Sequence, residues 1–292
     1  MCSQMCVEAI ENIDFGQAQT LVESIKLPPQ PQIVMSINKE LQRDEPSFRV
    51  ISDYVVKDAA LAAKVLKLVN SSAFSRGKKV DSIQRAMARP GMMNFYTIVL
   101  SSCLREAVGG SSELEELFWE HSEVVAGLSS EIAKRSRVAS PEQAYLAGLF
   151  HDASLPILVR QFPQFEKVVE MVTSTGGNVL KYEEAHLPTH HTVVSYLLCK
   201  SWGLPPVIAE AIQFHHSNNL DVFADPDARK LGAVLILADH LSRSHHACLN
   251  RDSFPGDPDW PALFEQICDE LGLDEDDLED YWLYGQELAG SV

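Results

Sequence analysis

The sequence predicts an all-α protein in two helical lobes, and three observations carry that reading. Apolar residues recur at helical spacing along most of the chain, convincing strand alternation is hard to find, and prolines punctuate the periodic segments. In "AALAAKVLKLVNS" the stripe is Leu61, Val65, Leu68 and Val69. "FWEHSEVVAGLSSEIAKRS" repeats it, with Leu117 just before, then Val124, Val125, Leu128 and Ile132. Prolines at 28, 29, 31, 46, 90, 141, 156, 163, 188, 205 and 206 mark helix starts and breaks.

Gly109, Gly110, Ser111 and Ser112 interrupt the periodicity and divide the chain. Residues 1–110 form an N-terminal helical lobe, 111–250 a second lobe, and 251–292 an acidic helical tail packed on the domain. "TSTGGN" at 173–178 joins two helices inside the second lobe. The tail keeps Leu271, Leu273 and Leu278 for packing but lacks the glycine and ligand spacing of a calcium loop.

Composition narrows the function classes. With 24 Lys and Arg against 41 Asp and Glu, the net charge of -17 repels phosphate backbones and anionic membranes, so neither nucleic acid nor membrane is an expected partner. A local basic stretch, "SRGKKVDSIQRAMAR", is read as a solvated loop and helix face. Apolar runs such as "AVLILA" are too short to span a bilayer, and the first residues have no secretory pattern, so a cytoplasmic location is expected. The six cysteines form no CxxC pair and read as incidental thiols. A phosphate loop, a GxSxG elbow and a GxGxxG fingerprint are missing, and no organic cofactor is expected.

All ten histidines fall at position 121 or later, so any site chemistry belongs to the second lobe. His121 shares a stripe with Leu117, Val124 and Leu128; His151 follows Ala144 and Ala147. His191 precedes Val194, Leu198 and Trp202 along one face, and His215 follows Ile208, Ala211 and Ile212. Asp239 lies in register with Leu231 and Leu235 on an otherwise apolar helix, where a carboxylate must be paired. A lone inward His is more often a hydrogen-bonded core residue than a ligand, but five helices each presenting His or Asp inward make a cluster suited to Fe, Mn, Zn or related divalent ions. The doublets His151-Asp152 and His215-His216 let one helix end serve two metals, because neighbouring side chains diverge by about 100°. His190 could replace His191 in that role, whereas His186, His240, His245 and His246 read as surface or loop residues.

Together these segments resemble the HDOD domain, the bacterial relative of the HD phosphohydrolases, over roughly residues 15 to 245. The carriers are "LPPQPQIVMSI", "VVKDAALAAKVLKLVNSSAFS", "AYLAGLFHDASLPILV", "HTVVSYLLCKSWGLPPVIAEAIQFHHS" and "ILADHLS". The resemblance implies a two-lobed HDOD fold with an HD-like C-terminal lobe, in proteins usually regulatory in bacterial signalling and often without demonstrated catalysis. It also implies a ligand set of His121, His151, Asp152, His191, His215, His216 and Asp239 for one or two ions of Fe, Mn, Zn or Ni. Two departures weigh against catalysis. The lysine that commonly follows the His-Asp pair in catalytic relatives is missing from Ala153, Ser154, Leu155, and no Gly-Tyr-Pro signature follows the paired histidines.

Two readings stay open. One is a signalling module with a metal-binding cluster and a partner protein. The other is a metal-dependent phosphohydrolase whose ligand is a phosphate ester or cyclic nucleotide, with Arg160 near in sequence but not placed in the site. The sequence names no catalytic or substrate-binding group for it.

Overall fold

A computed structural model describes residues 25–71, 79–88, 92–109, 112–162, 164–165, 179–187, 189–243 and 260–290, and these contain helices and turns with no strand. "TSTGGN", His245, His246, Arg76, Lys78 and Arg89 lie outside the described residues. Pro28–Gly110 forms one compact unit, and Ser111 onward forms the other together with the segment ending at Leu27. The backbone N–H and C=O of Lys26 bond the side-chain amide of Gln161, both at 3.3 Å, which ties that segment to the second unit.

The first unit runs α1 (Gln32–Leu41), α2 (Phe48–Val56), α3 (Ala59–Val69), α4 (Ile83–Ala88) and α5 (Met92–Val108). Side chains of Ser47 and Asp58 accept the orphan N–H groups that open α2 and α3. In α3, Leu61, Val65 and Val69 are buried, the stripe read from the sequence, with Leu68 at its margin. Asn70 ends α3: its amide donates to the carbonyls of Leu66 and Val80, both at 2.8 Å, and its Oδ1 accepts the Val80 N–H at 2.7 Å. That accounts for Asn70 as a backbone brace.

The second unit is built on α6 (Glu113–Ser136), opened by a capping box between Ser112 and Glu115 and closed by Arg137 in the left-handed conformation at φ 60°. α7 (Pro141–Phe150) starts with Ser140 as cap and Pro141 in its first turn. It crosses α6 without room to spare. A Cβ on Gly148 would stand 2.6 Å from the Cα of Ala126, so only glycine permits this approach. α8 (Leu155–Gln161), α9 (Val179–His186), α10 (His191–Ser201), α11 (Pro206–Gln213) and α12 (Pro226–Arg243) follow, with a 3-10 turn at Leu220–Val222. α12 is apolar almost all round, from Leu231 to Leu241, as a helix in contact with α6, α7 and α11 requires.

The tail helices α13 (Trp260–Leu271) and α14 (Glu275–Ala289) are more tightly docked than a pair held by a few leucines. α14 packs on α6, with Leu288 against Gly127 and Leu128 against Gly285. Arg135 pairs with Asp280 at 2.9 Å and lies 4.8 Å from the ring centre of the buried Tyr281. Among the described residues no helix is long and apolar enough to cross a membrane.

Candidate metal centre

Five helices deliver the predicted residues to one place. His121 comes from the middle of α6, His151 from the end of α7, Asp152 from the turn before α8, His191 from the first position of α10, His215 and His216 from the end of α11, and Asp239 from α12. Ser154 locks the Asp152 turn to α10: its hydroxyl donates to the carbonyl of His191 at 2.8 Å and accepts from Ser195 Oγ at 2.8 Å.

Their ligand atoms fall into two groups, each within 4.8 Å: Asp152, His191, His215 and His216 in one, His121, His151 and Asp239 in the other. Asp152 faces both. Its Oδ1 lies 3.3 Å from His191 Nε2 and 3.6 Å from His215 Nε2. Its Oδ2 lies 3.2 Å from His151 Nε2 and 3.8 Å from His121 Nε2. Asp239 Oδ1 stands 3.0 Å from His121 Nε2 and 3.9 Å from His151 Nε2.

The outward nitrogens are held by the scaffold, which fixes the ring tautomers. His151 Nδ1–H donates to the carbonyl of Gly148 and His215 Nδ1–H to that of Ile212, both at 2.7 Å. His191 Nδ1 pairs with Glu183 at 2.8 Å, and His121 Nδ1 contacts Ser242 Oγ at 3.2 Å. Each Nε2 is thereby left with its lone pair turned toward the carboxylates. The Nε2 atoms of His151 and His215 and Oδ1 of Asp152 are buried and make no hydrogen bond. Buried polar atoms are normally satisfied, and here three unsatisfied ones converge on a group of side chains that could hold a metal ion. The donor set of imidazole and carboxylate fits a divalent first-row metal.

The electrostatics agree at Asp152 and His215, with His151 the exception. Burial alone would push the Asp152 carboxyl up, but His151, His215 and His191 beside it hold it well below the usual carboxylate range. Burial lowers His215 and keeps that ring neutral, as a ligand must be. Burial opposes the charge on His151 too, yet Asp152 and Asp239 outweigh it and raise that ring.

Other sequence-named residues stand apart. His190 caps α10 and joins neither group. His186 bonds its own helix through the Tyr182 carbonyl, and His240 stacks on Trp260 at 3.7 Å. Arg160 is engaged with Glu115 at 2.7 Å. Leu117, expected on the buried stripe with His121, is 55% exposed. Four residues make slightly more than one turn, and here the α6 stripe narrows before it reaches Leu117.

Two participants were not named from the sequence, Glu183 and Ser242. Glu183 lies between Leu180 and Leu187, all three buried, at offsets of three and four. An acid on an apolar stripe is the signal that singled out Asp239, and it was present in "LKYEEAHL" as well. Ser242 carried no such mark.

The HDOD domain family model matches residues 27–218. The chain belongs to the HDOD family. Solved structures share this HDOD fold: a candidate phosphohydrolase from Shewanella amazonensis SB2B superposes with TM-score 0.70 at 23% identity, covering 92% of this chain and 95% of that one. An HDOD domain protein of unknown function from Geobacter sulfurreducens gives TM-score 0.65 at 24% identity, covering 93% and 96%. An uncharacterized Treponema pallidum (strain Nichols) protein is 21% identical over 206 residues, 65% of this chain. This HDOD chain spans well under half the length of the curated relatives it matches, 38% and 27%.

Proposed function

We infer that this HDOD protein is a metal-binding regulatory module in signalling, with His121, His151, Asp152, His191, His215, His216 and Asp239 holding one or two divalent ions. The observation that carries the metal site is Asp152, whose two oxygens face separate histidine groups. A carboxylate in that position could serve both groups, and the bonds from Gly148, Ile212, Glu183 and Ser242 hold the rings beside it. Regulation rather than turnover is supported by the segment after the His-Asp pair. Ala153, Ser154 and Leu155 are buried and used for packing and for the Ser154 lock, so they present no cation to a phosphate. The ion-pair partners of Asp152 are imidazoles. A candidate signal transduction protein from Marinobacter aquaeolei VT8 shares the fold, with TM-score 0.69 at 21% identity over 93% of this chain and 59% of that one.

A second reading, hydrolysis of phosphate esters or cyclic nucleotides, is favoured by the paired groups and by His121, whose side chain is 23% exposed and gives the cluster a solvent side. If His121, His151, Asp152, His191, His215, His216 and Asp239 held two ions, these would supply water activation and charge stabilisation for a phosphoryl group. The chain's own part would be to hold Asp239 and His121 at that solvent side and to keep Asp152 ionised. Elemental analysis of protein purified without added metal tests the shared premise; absence of metal sinks both readings. Metal with no turnover on cyclic dinucleotides, nucleotides and simple phosphate esters leaves the regulatory reading standing.

A further inference from the structure

The two ligand groups differ in how their histidines are backed. His151 and His215 donate Nδ1–H to neutral helix carbonyls, and His121 meets a hydroxyl. His191 alone among these four meets a carboxylate. Both oxygens of Glu183 lie 2.8 Å from His191 Nδ1, and Oε2 also accepts the backbone N–H of His191 at 3.1 Å. One carboxylate thus grips the ring and the main chain of the same residue. Glu183 is fully buried and His191 nearly so, at 0% and 1% exposure, which leaves the pair almost no water to compete with it. Its cost of burial is offset only while that grip is kept.

Resting on the metal-centre reading above, we propose that Glu183 is the positioning residue for this centre. It fixes His191 as the Nδ1–H tautomer and makes Asp152, His191, His215 and His216 the tighter of two unequal metal subsites. Three features act together. The Glu183 carboxylate, accepting from Nδ1–H, makes Nε2 a stronger donor, as in carboxylate–histidine–metal triads. The second hold at the main chain fixes the ring's direction, 3.3 Å from Asp152 Oδ1. The other subsite lacks both, and its His121 is partly exposed.

A merely structural role is the competing account, since Glu183 also satisfies an orphan N–H at the start of α10. Glu183→Gln keeps an acceptor for that N–H and removes the charge. Titration of the metal-free 292-residue chain with Co2+, followed by its visible absorption, should resolve two affinity classes in the wild type. In Glu183→Gln the tighter class should weaken by about 10–100-fold, with the weaker class unmoved. In a His191→Ala background the same change should add nothing, because Glu183 acts through that ring. Equal loss from both classes, no loss, or a further loss without His191 overturns the proposal. Should Glu183→Gln not fold, the wild type still decides: long-range 1H–15N spectra of the Zn2+-loaded chain should show His191 protonated at Nδ1 and metal-bound at Nε2. The opposite tautomer overturns it. A wild type that takes up no Co2+ at all sinks the metal-centre reading itself, a result distinct from a loaded wild type that ignores Glu183.

Discussion

The ends of α3 and α7 both carry polar side chains, and they resolve in opposite ways. At the end of α3, Asn70 spends its amide on the carbonyls of Leu66 and Val80 and its oxygen on the Val80 N–H. At the end of α7, His151 anchors one nitrogen on Gly148 and leaves the other, with Asp152 Oδ1, buried and without a hydrogen bond. The first end is closed by its own scaffold and is structural. The second keeps buried polar atoms without a hydrogen bond, and that remainder of unsatisfied polarity separates a candidate site from a brace.

The sharpest way to break this comparison is Asp152→Ala. If Asp152 joins both groups, one substitution should take metal content from its wild-type value to near none, by elemental analysis, because each group then keeps only partial ligand sets. The buried histidines would lose their counter-charge as well, and a destabilisation of about 3–5 kcal/mol in denaturant melts of the metal-free chain is expected. Retention of full metal content would show that Asp152 is only a counter-ion for His151.

Gly148→Ala comes next. The new Cβ would meet backbone atoms of Ala126 at 2.6 and 2.7 Å, which cannot swing aside, so α6 and α7 must part. The expected cost is about 1–3 kcal/mol or somewhat more. Parting the helices also separates His121 from His151, whose ring centres now lie 5.3 Å apart, so Co2+ titration should show weakening at the His121, His151 and Asp239 subsite first.

Asn70→Ala supplies the opposite case. Losing the brace should lower stability by about 1–3 kcal/mol, since the Val80 N–H and carbonyl lose the Asn70 side chain, while the Leu66 carbonyl keeps the backbone N–H of residue 70. Metal content should not change. A fall in metal content would mean that the two units are energetically coupled in a way the separate helix ends do not imply.

These contrasts also explain what could be read in advance. The helical class was legible because the apolar stripes are long and regular, and Leu61, Val65 and Val69 are buried as their spacing required. The clustered residues were legible for a related reason: Asp239, His191 and His215 interrupt apolar stripes, and a polar residue on a buried stripe must answer to something. Leu117 misled because periodicity marks a face without marking how far along the helix that face stays covered. Glu183 obeys the Asp239 rule but is less visible in sequence, since its stripe is only Leu180 in α9 and Leu187 just past the helix end. Asp152's double-facing position had no sequence signature, because it depends on a turn held by Ser154 and Ser195, which lie 41 residues apart.

The finest test lies within the centre, at the weakest of its outer supports. Ser242 Oγ donates to the carbonyl of Asp239 at 2.8 Å, which leaves its lone pairs for His121 Nδ1–H at 3.2 Å. That contact is longer than the Glu183 pair, carries no charge, and serves a ring that water can reach. Ser242→Ala should therefore weaken the solvent-side subsite by about 10-fold at most, the low end for such outer partners, and leave the buried subsite unmoved. Co2+ titration reads both in one experiment. A loss as large as that from Glu183→Gln would show that orientation of the ring, rather than the charge behind it, sets how firmly each subsite holds its ion.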